Sequence, residues 1–166
     1  MTDSLEARVR ELEDRNQISE CVIRYAEALD KADWELFKET IADPIYIDFS
    51  DWAGMEARDW ARDEWAGFAR DVLTGFDQRQ HLSPNHVITF ASDDQATCTS
   101  YMYAQHLLKG APGGDFLLMR GSYTNVLQRK PGGWEIKGMT QHYAWGEGNE
   151  GIHEVSRERF KEGSAA

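Results

Sequence analysis

Apolar side chains recur at three- and four-residue steps through Leu5, Val9 and Leu12, and again through Ile18, Val22, Tyr25 and Leu29. That is the period of an amphipathic helix with one buried stripe. Asp3 followed by Glu6 can cap its start. The phase slips between Asp14 and Gln17, which predicts either two helices or one with a kink. A second helix is expected from Trp34, with Asp33 as its N-cap, and has to end before Pro44, which lacks an N–H and clashes with the residue before it. Ile45-Tyr46-Ile47-Asp48-Phe49 alternates and is rich in β-branched and aromatic residues, so it reads as a short strand. After a loop with Asp51, Trp52 and Gly54, the positions Trp60, Trp65, Phe68, Val72 and Leu73 return to helical spacing and stop near Gly75.

Everything beyond reads as β. Strands are expected over about Gln80 to Phe90, Ala96 to Leu108, Phe116 to Gln128 and Trp134 to Tyr143. Asp93-Asp94, Gly110 to Gly114 and Pro131-Gly132-Gly133 serve as turns, and a weak helix over Glu154 to Lys161 closes the chain. Helices first and a long antiparallel meander afterwards define an α+β domain in which the sheet wraps around the helices. A sheet curved in that way forms a cone, a cone-shaped α+β barrel whose open mouth is a ready ligand pocket. No repeat or linker interrupts the pattern, so residues 1–166 form one domain.

Composition narrows the function. The 166 residues carry a formal charge of −11, which argues against nucleic acid and anionic membranes as partners, because both are bound by neutralising phosphate with Lys and Arg. The longest basic cluster, Gln128-Arg129-Lys130, sits at an expected turn. No run approaches the ~18 apolar residues that span a bilayer, and the first residues lack a signal-peptide layout, so a cytoplasmic location is expected. Cys21 and Cys98 lie far apart in elements of different type and read as small core hydrophobes.

Few residues remain for chemistry. Asp30 stands at the end of the first helix, where the negative end of the helix dipole disfavours a carboxylate and Asp33 already caps the next helix. It has no obvious structural task, although an exposed turn aspartate is the plain alternative. His81 opens the first long strand; an imidazole beside a buried carboxylate is held in one tautomer and becomes a base near neutral pH. Strand alternation places Cys98, Ser100, Met102, Ala104 and His106 on one face, mostly small as a cavity wall would be, and Tyr101 and Tyr103 on the other. Tyr25 lies on the buried stripe of the first helix, either as core or as a phenol that polarises a carbonyl. Tyr123 and Asn125 share a strand face and supply either further polar contacts or ordinary sheet residues. His86 is read as structural. A phosphate-binding glycine loop, a helical histidine pair for a metal and a glycine-flanked nucleophilic serine are all missing from the sequence.

These residues carry a resemblance. The segment Ile23-Arg24-Tyr25-Ala26-Glu27-Ala28-Leu29-Asp30-Lys31-Ala32-Asp33-Trp34, then Tyr46-Ile47-Asp48-Phe49, Gln80-His81, and Gly121-Ser122-Tyr123 leading to Gly132-Gly133-Trp134-Glu135-Ile136 resemble the scytalone dehydratase-like (SnoaL-like) branch of the nuclear transport factor 2-like superfamily. The resemblance runs from about Leu12 to Trp145. Its enzymes, which include scytalone dehydratase, bile acid 7α-dehydratase and hexachlorocyclohexane dehydrochlorinase, use an Asp and a His as a dyad inside the cone, and Asp30 and His81 stand at the matching positions. Tyr25 matches the tyrosine five residues before that aspartate in the bile acid enzyme, and His106 the second histidine of scytalone dehydratase. Leu29 and Phe49 replace two tyrosines of the latter. Asn125 matches a pocket asparagine. The resemblance implies no cofactor, no metal and a homo-oligomer, a trimer or a dimer.

The expectation is therefore a cofactor-independent lyase, a dehydratase acting on a small, apolar, ring-bearing molecule of polyketide, steroid or terpenoid type. His81, oriented by Asp30, removes a proton, with Tyr25 or His106 assisting. Tyr46, Phe49, Met102, Tyr123 and Asn125 are the expected substrate contacts. A ketosteroid-isomerase-like isomerase and a non-catalytic small-molecule-binding protein are the alternatives, and the distance between Asp30 and His81 separates enzyme from carrier. Ring hydroxylation or epoxide opening would need further carboxylates, for which Asp48 is the one nearby candidate.

Overall fold

The computed structural model describes residues 4–164. The first helix, α1, runs unbroken over Leu5–Lys31. Ser4 caps it, its Oγ accepting from the Ala7 N–H at 3.2 Å, while the expected cap Asp3 lies outside the described residues. The phase slip does not mark a kink. It marks Asp14, a carboxylate that takes a core position and is 7% exposed. Upstream of it, Leu5, Val9 and Leu12 keep the helical period but are 74%, 44% and 67% exposed, on a face turned away from the core. The helix closes at Ala32 in the left-handed conformation.

The short α2 (Trp34–Glu39) starts with the Asp33 carboxylate accepting from Leu36 N–H, as expected. Strand β1 (Ile41–Asp48) begins four residues before the predicted strand and contains Pro44. With no N–H at Pro44 the ladder to the last strand skips, and the register shifts between Ile41 and Tyr46. The expected loop around Trp52 contains one helical turn, α3 (Ser50–Ala53). Trp60 belongs to a short edge strand, β2 (Arg58–Trp60), rather than to the following helix α4 (Arg62–Leu73). The α4 start has no side-chain cap of its own, and Asp43 of β1 serves it by accepting from Arg62 N–H.

The predicted strand from Gln80 to Phe90 is two strands, β3 (Gln78–Leu82) and β4 (Val87–Ser92). They are split by Pro84 and by Asn85 at φ 63°, and both pair along the same edge of β5 (Gln95–Leu107). Strands β6 (Phe116–Lys130) and β7 (Gly133–Gly148) complete the sheet, and α5 (Ile152–Ser164) follows. The order is β2-β1-β7-β6-β5-β3, with β4 also on β5. Among the described strands only β1 and β7 pair in parallel. The seven-stranded sheet curves strongly but does not close, so the expected cone is an open one rather than a complete barrel.

The core fills the concave side. Ile18, Phe37, Ile41, Ile45, Leu127 and Ile136 are fully buried there. Cys21 and Cys98 are buried free thiols, as their isolation in sequence suggested. No helix among the described residues is long and apolar enough to cross a membrane.

Candidate active site

Between the curved sheet and helices α1, α4 and α5 lies a cavity of about 90 Å³. Its wall is mostly aromatic and aliphatic: α1 contributes Tyr25 and Leu29, and α4 contributes Trp65, Phe68, Ala69, Val72 and Leu73. Phe49, Trp52 and Met55 come from the segment after β1, and Met119, Tyr123 and Gln141 from β6 and β7. Against this apolar surface stand three imidazoles, His81, His106 and His153.

His81 and Asp30 meet where β3 passes the end of α1. Asp30 Oδ1 lies 2.7 Å from His81 Nδ1, and the two carboxylate oxygens also accept from the His81 backbone N–H at 3.0 and 3.1 Å. These hydrogen bonds offset the unfavourable place of a carboxylate at a helix C-terminus. They also fix the tautomer: Nδ1 carries the proton toward Asp30, and Nε2 is left as the basic nitrogen. Arg79, two residues earlier on the same strand face, ties the site to its scaffold. Its Nε donates to Leu29 O at 2.7 Å and its Nη1 to Leu73 O at 2.8 Å, so one guanidinium joins the ends of α1 and α4. Burial lowers the Arg79 pKa, and the nearby Asp30 charge works in the opposite direction.

Opposite β3, strand parity delivers His106. Arg79 pairs with His106 and His81 with Ala104, and the inward set Cys98, Ser100, Met102, Ala104 and His106 is buried while Tyr101 is 62% exposed. The His106 ring centroid lies 5.2 Å from that of His81 and 4.9 Å from Phe76. Burial, with His153, His81 and Arg79 nearby, holds its pKa well below 6.5. His106 is thus neutral at pH 7, a hydrogen-bonding group rather than a cation.

Two phenols complete the cavity. Burial pushes Tyr25 far above the ordinary tyrosine range, with Tyr123 beside it acting in the same direction. Burial likewise raises Tyr123 to about 12, and Gln141 Nε2 donates to its oxygen at 3.3 Å. Both phenols stay protonated, and the Tyr123 proton is left for a ligand because its oxygen is the acceptor in the Gln141 bond.

Of the nine expected site residues, Tyr25, His81, His106, Phe49 and Tyr123 line this cavity, and Asp30 stands behind His81. Tyr46 does not: it is 42% exposed. Ile45 and Ile47 take the inner face of β1, so parity turns Tyr46 outward and puts Phe49 inside. Met102 and Asn125 do face inward and are buried, but they lie behind the cavity wall. Met102 Sδ is 3.2 Å from Gln141 Nε2, and Asn125 pairs across to Cys98 deeper in the cone. His86 is structural, bonded through Nδ1 to Ser19 at 2.6 Å. His153, Trp52 and the aromatic face of α4 also line the cavity, where the sequence pattern alone did not place them. Trp65 and Phe68 had a visible helical period, but nothing local said that their stripe faces a cavity. His153 comes from a helix far along the chain from every residue it touches. Among the described residues no three His, Cys, Asp or Glu side chains are arranged to hold a metal ion.

The model of the SnoaL-like domain matches residues 10–140. Among solved structures, the Kfla4162 protein of Kribbella flavida superposes with a TM-score of 0.80 at 25% identity, covering 87% of this chain and 99% of that one. A Novosphingobium aromaticivorans protein provisionally named a scytalone dehydratase gives 0.74 at 19% identity over 86% and 91%. A hexachlorocyclohexane dehydrochlorinase, LinA type 2, gives 0.73 at 18% identity over 88% and 95%. No curated protein matches the chain significantly by sequence.

Proposed function

The chain belongs to the SnoaL-like domain family, and from that premise we propose that it is a cofactor-independent lyase that eliminates water from a small, apolar, ring-bearing molecule. The observation that carries this reading is the 2.7 Å contact between His81 Nδ1 and Asp30 inside the wall of an apolar cavity. A carrier needs the cavity but not a carboxylate-oriented imidazole in its wall. The names of the dehydratase and the dehydrochlorinase that share the fold point the same way.

In this mechanism His81 Nε2 removes a proton from a carbon next to a carbonyl, and Asp30 stabilises the imidazolium that forms. The negative charge that develops on the carbonyl oxygen is met by the protonated phenols of Tyr123 and Tyr25, preorganised donors in a site with little water. The electron pair then forms the carbon–carbon double bond, and the C–O bond to the neighbouring hydroxyl breaks. The imidazolium of His81 returns the proton to the departing oxygen, which leaves as water. His106, neutral in the fold, steadies that oxygen by hydrogen bonding and does not itself protonate it.

The test uses bicyclic β-hydroxyketones such as hydroxytetralones, followed by the ultraviolet absorbance of the conjugated product. His81→Ala is expected to lower turnover by ~10²- to 10⁴-fold, the usual share of general base catalysis, with the circular dichroism spectrum unchanged. An unaltered rate would remove His81 from the mechanism. The adjacent phenols also suit a second reading, isomerisation, in which His81 returns the proton to another carbon; a product of unchanged mass would shift the assignment to it.

A further inference from the structure

The helix α5 lies beyond the stretch matched by the family model, yet it is fixed to the domain at several points. Ile152 is fully buried, Ser156 Oγ donates to Val72 O at 2.8 Å, and Arg159 pairs with Asp77 at 2.9 Å. Gly75 permits the contact: a Cβ there would stand 2.0 Å from the Ser156 carbonyl oxygen. Anchored in this way, α5 turns His153 into the cavity wall, with ring centroids 4.7 Å from His106, 4.9 Å from Trp52 and 5.4 Å from Phe76.

The elimination mechanism makes no use of His153, and the polar atoms around it are unsatisfied. Both ring nitrogens of His106 and Nδ1 of His153 are buried with no hydrogen-bond partner among the described residues. A buried polar atom left unpaired is costly, so the two facing rings call for a ligand group that meets a nitrogen of each. Each neutral imidazole offers one N–H donor and one bare acceptor nitrogen. Burial, with His81 and Arg157 nearby, lowers the His153 pKa to about 4, so this ring too is neutral at pH 7. A carbonyl would satisfy the donors and leave an acceptor orphaned. A carboxylate would meet bare nitrogens in a cavity whose lining contains no Lys or Arg. A hydroxyl both donates and accepts, so it can meet a donor on one ring and an acceptor on the other.

We propose that His106 and His153 form a neutral two-imidazole clamp for one hydroxyl group of an uncharged ring-bearing substrate, which makes His153 a specificity-determining residue supplied by the C-terminal helix. The clamp stands on its own geometry. That the clamped hydroxyl is the one that departs as water rests on the elimination reading: the His81 and His106 rings are 5.2 Å apart, which places a held oxygen beside the carbon that His81 deprotonates.

The test is equilibrium binding of p-cresol, toluene and 4-methylbenzoate, read by tryptophan fluorescence because Trp52 and Trp65 line the cavity. The wild-type protein should prefer p-cresol over toluene by about ten-fold, the worth of one good neutral hydrogen bond, and should bind 4-methylbenzoate more weakly than p-cresol. His153→Leu should bring the cresol-to-toluene ratio near one while toluene still binds, and His153→Gln should restore part of the preference. In the unmodified protein, p-cresol should shift the imidazole nitrogen resonances of His106 and His153, and toluene should not. Equal affinities in the wild type, an unchanged ratio in His153→Leu, tighter binding of the benzoate or unmoved resonances would each overturn the clamp. His81→Ala should lower hydroxyketone turnover by the same ~10²- to 10⁴-fold and leave the ratio intact. Wild-type protein that keeps the ratio but never turns over a hydroxyketone would overturn the elimination reading alone.

Discussion

Helix α1 carries two carboxylates withdrawn from water, Asp14 near its start and Asp30 near its end, and their partners set them apart. Asp14 is saturated: Arg129 donates to both its oxygens at 2.8 Å, and Trp134 Nε1 donates at 3.0 Å. The guanidinium is charged at every working pH and also stacks over the Trp134 ring at 4.5 Å. The Arg129 hydrogen bonds outweigh burial and hold the Asp14 carboxyl below its ordinary range. Asp30 instead faces the His81 imidazole, holding Nδ1 and leaving Nε2 as an acceptor. A carboxylate locked by arginine and indole fastens α1 to β6 and β7, whereas one paired with histidine leaves a basic nitrogen free for chemistry. Replacing each acid by its amide should therefore damage different properties of the protein.

The largest effect is expected at Asp30. Asp30→Asn keeps an acceptor for the His81 N–H groups but cannot stabilise an imidazolium, so turnover should fall on the order of 10²-fold or more. Its thermal midpoint should move little, since the Asp30 side chain is 26% exposed. A rate within two-fold of wild type would erase the distinction between the two acids.

Asp14→Asn should do the reverse. The change removes the buried counter-ion of Arg129 and leaves the guanidinium with only the exposed Asp94. Breaking a fully buried pair costs ~3–5 kcal/mol and a surface pair ~0–1. With the Arg129 side chain 33% exposed, a loss of about 2 kcal/mol in urea-induced unfolding is expected. Turnover per folded molecule should be unchanged. A rate defect at Asp14 would mean that its grip on the sheet reaches the cavity.

These contrasts also mark what the sequence could reveal. Asp30 was legible because it sat at a helix end where local rules left it without a structural task, His81 because the family resemblance matched it to that aspartate, and His106 because period-two alternation fixes which way a strand residue points. The same alternation, applied to β1, would have excluded Tyr46 as soon as Phe49 was placed inside. Asp14 was visible only as a slip of phase, since its partners Arg129 and Trp134 lie more than a hundred residues away. The period of Leu5, Val9 and Leu12 identified a helix correctly, but periodicity does not say what covers its apolar face, and there nothing among the described residues does. The break in the predicted strand was marked locally by Pro84, whereas the entry of His153 into the cavity depends on contacts that no local pattern encodes.

The two regions should separate again by pH. His106 and His153 are held below 6.5 in the fold, His153 at about 4. The unfolded chain therefore binds protons at these positions first, and stability should fall as pH drops from 6.5 toward 4, by at most about 1.4 kcal/mol per pH unit for each group. Asp14 acts lower: its pKa is depressed from 3.8, so its contribution is full above that value and disappears as pH falls through the folded value. Urea titrations at stepped pH should show a flatter slope between 6.5 and 4 in His153→Leu and a weaker acid limb below 3.8 in Asp14→Asn. Coincident slopes in the two variants would show that the regions are not electrostatically separate.

The smallest effect should lie at the rim of the Asp14 cluster. Arg129 also reaches Asp94 at 3.2 Å, but the Asp94 side chain is 76% exposed, so water competes for both charges and the pair must hold an exposed side chain in one place. Such pairs contribute ~0–1 kcal/mol and are screened by salt. Asp94→Asn should lower stability by about 0.5 kcal/mol or less at low ionic strength, and the difference should vanish in 1 M NaCl, where the Debye length is only ~3 Å. The Asp14→Asn loss should persist in the same salt, because screening ions cannot enter between Asp14 and Arg129. If the Asp94 effect matched that of Asp14, or survived the salt, the hold on α1 would be a property of the whole acidic turn rather than of the single buried carboxylate.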